Sequence, residues 1–303
     1  MLPNEIKGSY IIAQTPFDEK GNIDLESIDT LMAFYHQHGA SGFVVLGVSG
    51  EGGKLAPNEA LAVTQRFLAR AENKPVFVGV SNPSTAHLKM MALEAMALGA
   101  SGVMISPTAG LKTETELLSY FETVFHLIGD VPTVLQDFPG SSGVWMSVSS
   151  IATLVERHTQ ICVVKEEDWP SLEKITQLRA KMTRRVAILT GNNGMYLPYE
   201  MARGIDGPMA GFSHPEMLSG VYNLFVAGRT EEAYDLFDCY LPLLSYEAQG
   251  FMGVAARKEV MRRRGAIKHA TMRMPGPKLS AHHHAEIDLL YRRVGEAVKR
   301  RTS

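Results

Sequence analysis

Cysteine is almost missing: Cys162 and Cys239 are the only two in 303 residues. Two thiols make neither a disulfide framework nor a zinc pattern. Cys162 stands inside an apolar run and is expected to be a buried core thiol. The sequence therefore reads as one for a reducing compartment, the cytoplasm. Long apolar runs are also lacking. No stretch approaches the ~18 uninterrupted apolar residues of a membrane span, and MLPNEIKGSY has neither the basic nor the apolar region of a secretory signal. An excess of either charge is absent too. Thirty Lys and Arg stand against 32 Asp and Glu, so no global field favours nucleic acid or an anionic membrane. The basic run 257–269 sets six Lys or Arg against Glu259 alone but carries no interleaved aromatics. It reads as a solvated or intersubunit helix face. His282, His283 and His284 have no second cluster at metal-ligand spacing, so no metal site is expected.

What is present is alternation. Continuous apolar runs of four to eight residues occur at 9–15, 42–47, 75–80, 102–106, 132–136, 161–165, 186–191 and 207–211. Continuous rather than alternating hydrophobicity predicts parallel strands buried on both faces. Amphipathic segments separate them, at 24–38, 57–72, 84–98, 113–128, 147–158, 170–182, 194–204 and 214–227. Asp24 and Ser84 stand at expected N-caps, Pro57 at a first helical position, and Gly39, Gly99 and Gly204 just past helix ends. The first turn, AQTPFDEKG, lacks the glycines of a dinucleotide-binding fold. Eight strand–helix units predict an α/β fold, a (β/α)8 TIM barrel over residues 1–228. Residues 229–303 predict a C-terminal helical extension of three helices, 230–247, 251–264 and 285–301, packed on the barrel.

In such a barrel the chemistry sits at the C-terminal strand tips. Lys165 closes the sixth run. Burial there disfavours the ammonium and leaves a nucleophilic amine able to form a Schiff base; a structural ion pair with Glu166 or Glu167 is the other reading. The turn Gly47-Val48-Ser49-Gly50-Glu51 after the second strand offers converging backbone N–H groups and a hydroxyl, suited to a carboxylate or simply to a tight turn. Gln136 and Asp137 end the fifth strand near the mouth, with Asp137 alternatively a turn former. Gly191, Asn192 and Asn193 end the seventh. Gly191 admits a ligand to the backbone, and the asparagines serve as donors or as helix N-caps.

With these residues in view, the chain resembles the dihydrodipicolinate synthase / N-acetylneuraminate lyase family of class I aldolases, over nearly its whole length. The resemblance implies a homo-oligomer, tetramer or dimer, that needs no metal or organic cofactor because the substrate is held as a Schiff base on a lysine. It implies that Lys165 is that lysine, that Ser49 and Gly50 bind a 2-keto acid carboxylate, and that Gly191 and Asn192 form the glycine-containing turn after the seventh strand. The departures are informative. The family's catalytic tyrosine falls on Gln136, which cannot act as a general acid or base near neutral pH. The first hydroxyl of the turn is Val48. The arginine that holds the aldehyde's carboxylate in the synthase falls on Ser141. The Gln136-Asp137-Phe138-Pro139 form is similar to the branch containing L-2-keto-3-deoxyarabonate dehydratase. The expected activity is a Schiff-base lyase, aldolase or dehydratase, acting on a pyruvate-like small-molecule 2-keto acid, a 2-keto-3-deoxy sugar acid, with Lys165 and Gln136 as catalytic candidates. Dihydrodipicolinate synthase activity and a non-catalytic keto-acid binder are the alternatives.

Overall fold

A computed structural model describes residues 5–302. Eight strands pair in parallel with their chain neighbours, and β8 pairs with β1 to close the barrel. They are β1 (Tyr10–Ile12), β2 (Gly42–Val45), β3 (Val76–Gly79), β4 (Gly102–Ile105), β5 (Thr133–Asp137), β6 (Ile161–Glu166), β7 (Ala187–Thr190) and β8 (Gly207–Ala210). The connecting helices are α1 (Leu25–Gln37), α2 (Pro57–Ala69), α3 (Thr85–Ala97), α4 (Glu114–Ile128), the single turn α5 (Pro139–Ser142), α6 (Val148–Arg157), α7 (Ser171–Lys181), α8 (Leu197–Ala202) and α9 (Pro215–Val226). The expected caps are in place. Asp24 accepts from the Ser27 N–H at 3.0 Å, and Ser84 accepts from the His87 N–H. The expected TIM barrel is the observed fold. Two details differ. The seventh helix is shorter than its pattern suggested, because a 3-10 turn over residues 192–194 precedes α8. The α5 turn was not expected.

Strand parity divides the core in two. Tyr10, Ile12, Val44, Phe77, Met104, Val134, Val163, Leu189 and Met209 form one buried cluster, the barrel lumen. Their chain neighbours Ile11, Phe43, Val45, Leu135, Val164 and Ile188 belong to the outer cluster beneath the helices. Cys162 is half-buried against the lumen cluster rather than fully buried as expected. Burial still pushes its thiol up to about 12.

Three further helices follow, α10 (Thr230–Glu247), α11 (Gly250–Arg263) and α12 (Ala281–Thr302). The basic run is solvated only in part. Arg257, Lys258 and Glu259 are buried where α11 meets the cavity wall, whereas Arg262 and Lys268 are exposed. His282–His284 lie in the first turn of α12. Among the described residues, no three His, Cys, Asp or Glu side chains are grouped to hold a metal ion, and no helix is long and apolar enough to cross a membrane.

Candidate active site

Parity decides which strand-tip residues face the lumen. Gln136 follows Val134 and Lys165 follows Val163, both lumen residues, and the register places Gln136 beside Lys165. Glu167, two residues beyond Lys165, emerges on the same side. These three form the floor of a cavity of about 580 Å³. Lys165 is 3% exposed, and its Nζ lies 2.7 Å from Glu167 Oε1. Gln136 Nε2 donates to the same oxygen at 2.7 Å. The Asn192 backbone N–H donates to Glu167 Oε2 at 3.2 Å. One carboxylate thus ties together the tips of β5, β6 and β7. It fits because residue 191 is glycine: a Cβ there would stand 2.0 Å from Glu167 Oε2. The opening that the sequence suggested for a ligand is used by the protein's own carboxylate.

Asp137 must be corrected. As the neighbour of Gln136 it points away from the lumen, is fully buried, and pairs with Lys174. Lys174 Nζ also donates to Asp168 at 2.8 Å and to the Met146 carbonyl at 2.7 Å. Glu166 shares that outer face, and burial, with Asp137 beside it, pushes its carboxyl well above the usual range. This group braces the back of β6 against α7 and does not line the cavity.

The turn after β2 lies across the barrel from Lys165. It is closed by Glu51 N–H to Val48 O at 3.0 Å and Gly52 N–H to Gly47 O at 3.3 Å. Gly47, Val48 and Ser49 line the cavity, with Val48 projecting at the mouth, 41% exposed. Gly50 is corrected as a lining residue. It packs against β1, where a Cβ would meet the Ala13 carbonyl at 2.8 Å, and its own carbonyl accepts from Thr15 Oγ1. Glu51 is buried on a left-handed backbone, φ 57°. Its carboxylate takes Lys258 on one oxygen; the other accepts from Lys54 at 2.8 Å and from the Arg273 N–H at 3.0 Å.

The rim is formed by Phe138, Gly140 and Ser141 after β5, by Trp169 and by Phe251. Trp169 packs edge-on to Tyr196 at 4.6 Å between ring centroids. Sequence reasoning underrated Glu167, although its spacing from Lys165 already put both on one face. It missed Arg257, for which no local signal exists. Only the fold carries α11 to the tips of β7 and β8.

A family model for the dihydrodipicolinate synthetase family matches residues 5–292. The L-2-keto-3-deoxyarabonate dehydratase of Azospirillum brasilense is 26% identical over 300 residues, 97% of this chain and 96% of its own length. The 4-hydroxy-tetrahydrodipicolinate synthase of Geobacter metallireducens is 27% identical over 234 residues, 76% and 79% of the two chains. The crystal structure of dihydrodipicolinate synthase from Rhodopseudomonas palustris superposes with a TM-score of 0.93 at 42% identity, covering 95% of this chain and 97% of that one. A barrel of this topology, matched over almost all of its length, belongs to the dihydrodipicolinate synthetase family, and the protein is a lyase of that family.

Proposed function

We propose that the protein is a Schiff-base lyase acting on a 2-keto-3-deoxy sugar acid, with dehydration as the favoured outcome. The observation that carries this reading is the buried Lys165–Glu167 pair on the cavity floor, 2.7 Å apart with no tyrosine beside it. Ser49 and the backbone N–H groups of its turn hold the substrate carboxylate. The Lys165 proton passes to Glu167, and the free amine adds to the C2 carbonyl. Glu167 gives that proton to the carbinolamine hydroxyl, which leaves as water, so a protonated imine and the Glu167 carboxylate remain. That imine draws electrons from C3, so a C3 proton departs to the Glu167 carboxylate and an enamine forms. Glu167 returns the proton to the C4 hydroxyl, which departs as water. Gln136 holds the Glu167 carboxylate in place throughout. The family's tyrosine is dispensable here because the group that moves protons stands at position 167. The dehydratase relative that spans 97% of the chain supports dehydration over cleavage of the C3–C4 bond.

The test is borohydride reduction in the presence of pyruvate or 2-keto-3-deoxypentonate, followed by intact and peptide mass. The expected result is one reduced adduct on Lys165. An unmodified Lys165 across both acids refutes the imine.

The 42% identity to a dihydrodipicolinate synthase favours a second reading, condensation of pyruvate with aspartate semialdehyde. Against it, the family arginine for the aldehyde's carboxylate is replaced by the exposed Ser141 at the rim. Efficient turnover of aspartate semialdehyde in a coupled assay would reverse the preference.

A further inference from the structure

Arg257 is 1% exposed, yet it lines the cavity from α11. Its Nε donates to Glu247 Oε2 at 3.0 Å, and its Nη2 donates to Asn193 Oδ1 at 2.7 Å. Asn193 is itself anchored, its Nδ2 donating to the Glu247 carbonyl at 3.1 Å. The guanidinium is therefore fixed at two of its nitrogens. The third, Nη1, is buried with no partner among the described residues. It lies beside Gly211 of the cavity wall, where a Cβ would stand 2.5 Å away. A buried donor left unmade costs free energy, roughly 1–3 kcal/mol, which a ligand oxygen reaching Nη1 would recover.

The barrel's geometry says which part of a substrate reaches it. The keto acid head spans from Lys165 on β6 to the Ser49 turn after β2, on opposite sides of the barrel. The cavity has no lining residue from the tips of β3 or β4. The tail must therefore run either past Phe138, Gly140 and Ser141 or along β7, β8 and α11. The second path carries the fixed donors. The charge there is already balanced, because Glu247 faces Arg257 and also accepts from the Ser213 N–H at 3.1 Å. An anionic tail would be buried beside the Glu247 carboxylate, whereas a hydroxyl adds no charge.

We propose that Arg257, through Nη1, holds the C5 hydroxyl oxygen of the substrate and selects keto acids with a neutral hydroxylated tail. The proposal rests on the imine reading of Lys165. Its test measures half-saturation of borohydride trapping on the full-length protein with three acids: 2-keto-3-deoxypentonate, 4-hydroxy-2-oxopentanoate, which lacks the C5 oxygen, and 4-hydroxy-2-oxoglutarate, which carries a carboxylate there. The first is expected to saturate at a concentration about tenfold or more below the other two, as for a hydrogen bond to a charged donor. In the Arg257→Met/Glu247→Gln variant, which removes both buried charges together, the ratio of the first two acids should fall to about one. Asn193→Gly keeps the ion pair and the left-handed backbone but frees Nη2, and should lower the ratio in part; a purely structural Arg257 would leave it unmoved. No trapping of any acid by the wild-type protein overturns the imine reading and this proposal together. Trapping without the C5 preference, a preference that survives in both variants, or a preference for the carboxylate tail overturns this proposal alone.

Discussion

Lys258 clamps the Ser49 turn from behind, and Lys258→Met measures how much that clamp holds. Its ammonium has no solvent exposure and makes three hydrogen bonds: to Glu51, to the Thr15 carbonyl at 2.9 Å and to the Thr271 carbonyl at 2.9 Å. It also stands 4.4 Å from the centre of the Phe17 ring. Burial pushes it down to about 8 even with Glu51 beside it. Removing one partner of a buried ion pair costs about 3–5 kcal/mol, mostly because the other charge is stranded. Glu51 keeps Lys54 and the Arg273 N–H on its second oxygen, so the lower figure, ~3 kcal/mol, applies. At about 2 cal/mol/K per residue, a chain of this length melts with an entropy near 0.6 kcal/mol/K, so the variant should melt ~5 °C lower. Half-saturation of pyruvate trapping should rise in parallel, because Glu51 ends the turn that carries Ser49. Glu51→Gln/Lys258→Met should regain part of the lost stability, since the fully buried carboxylate is no longer stranded and the partly exposed Lys54 keeps the Arg273 carbonyl. A melt within 1 °C of wild type, or a double variant no better than the single one, would refute the clamp.

Glu167→Gln keeps the shape of the site but cannot accept a proton. Turnover of 2-keto-3-deoxypentonate should fall about 10²–10⁴-fold, and the Lys165 adduct should form more slowly on reduction because its proton acceptor is gone; unchanged turnover would remove Glu167 from the proton path. Glu200 is buried between Thr190 and Ser171, and burial pushes its carboxyl up to about 7. As pH rises from the ordinary value towards 7, the unfolded chain ionises first and the native state loses stability, by up to about 3 kcal/mol. Glu200→Gln should therefore flatten the stability–pH profile over that window and melt higher than wild type at pH 8. Parallel profiles for the two proteins would show that this carboxyl does not set the slope.

The barrel was legible because each strand is a short continuous apolar run and each helix carries its cap in sequence. Lys165, Gln136 and Ser49 were legible for the same reason, as residues at strand ends. Asp137 was misplaced by proximity: adjacent residues on a strand face opposite sides, so choosing Gln136 for the lumen already sent Asp137 outward. The burial of the first residues of the basic run was missed because the run's composition suits a solvated helix. Arg257 and Lys258 are buried by contacts to Asn193, Glu247 and Glu51, which are ten to more than two hundred positions away. No local pattern encodes such pairings. The same distance hid the part of α11 in the cavity wall.

On the proposed function, those pairings bear on how a near-neutral chain would take an anionic substrate. Three buried cations face three buried carboxylates: Lys165 with Glu167, Arg257 with Glu247, and Lys258 with Glu51. The charges of Arg257 and Lys258 are balanced by their partners, so the proposed function leaves the keto acid carboxylate to neutral donors at the Ser49 turn. Lys165 and Glu167 differ from the other pairs because both members line the cavity. A proton moving from the ammonium to the carboxylate turns an ion pair into an amine and an acid without changing the charge of the site. That transfer yields the nucleophile and the acid in one step. On this reading the loss of the tyrosine at position 136 removes one proton carrier, while the lysine's own counter-ion supplies another.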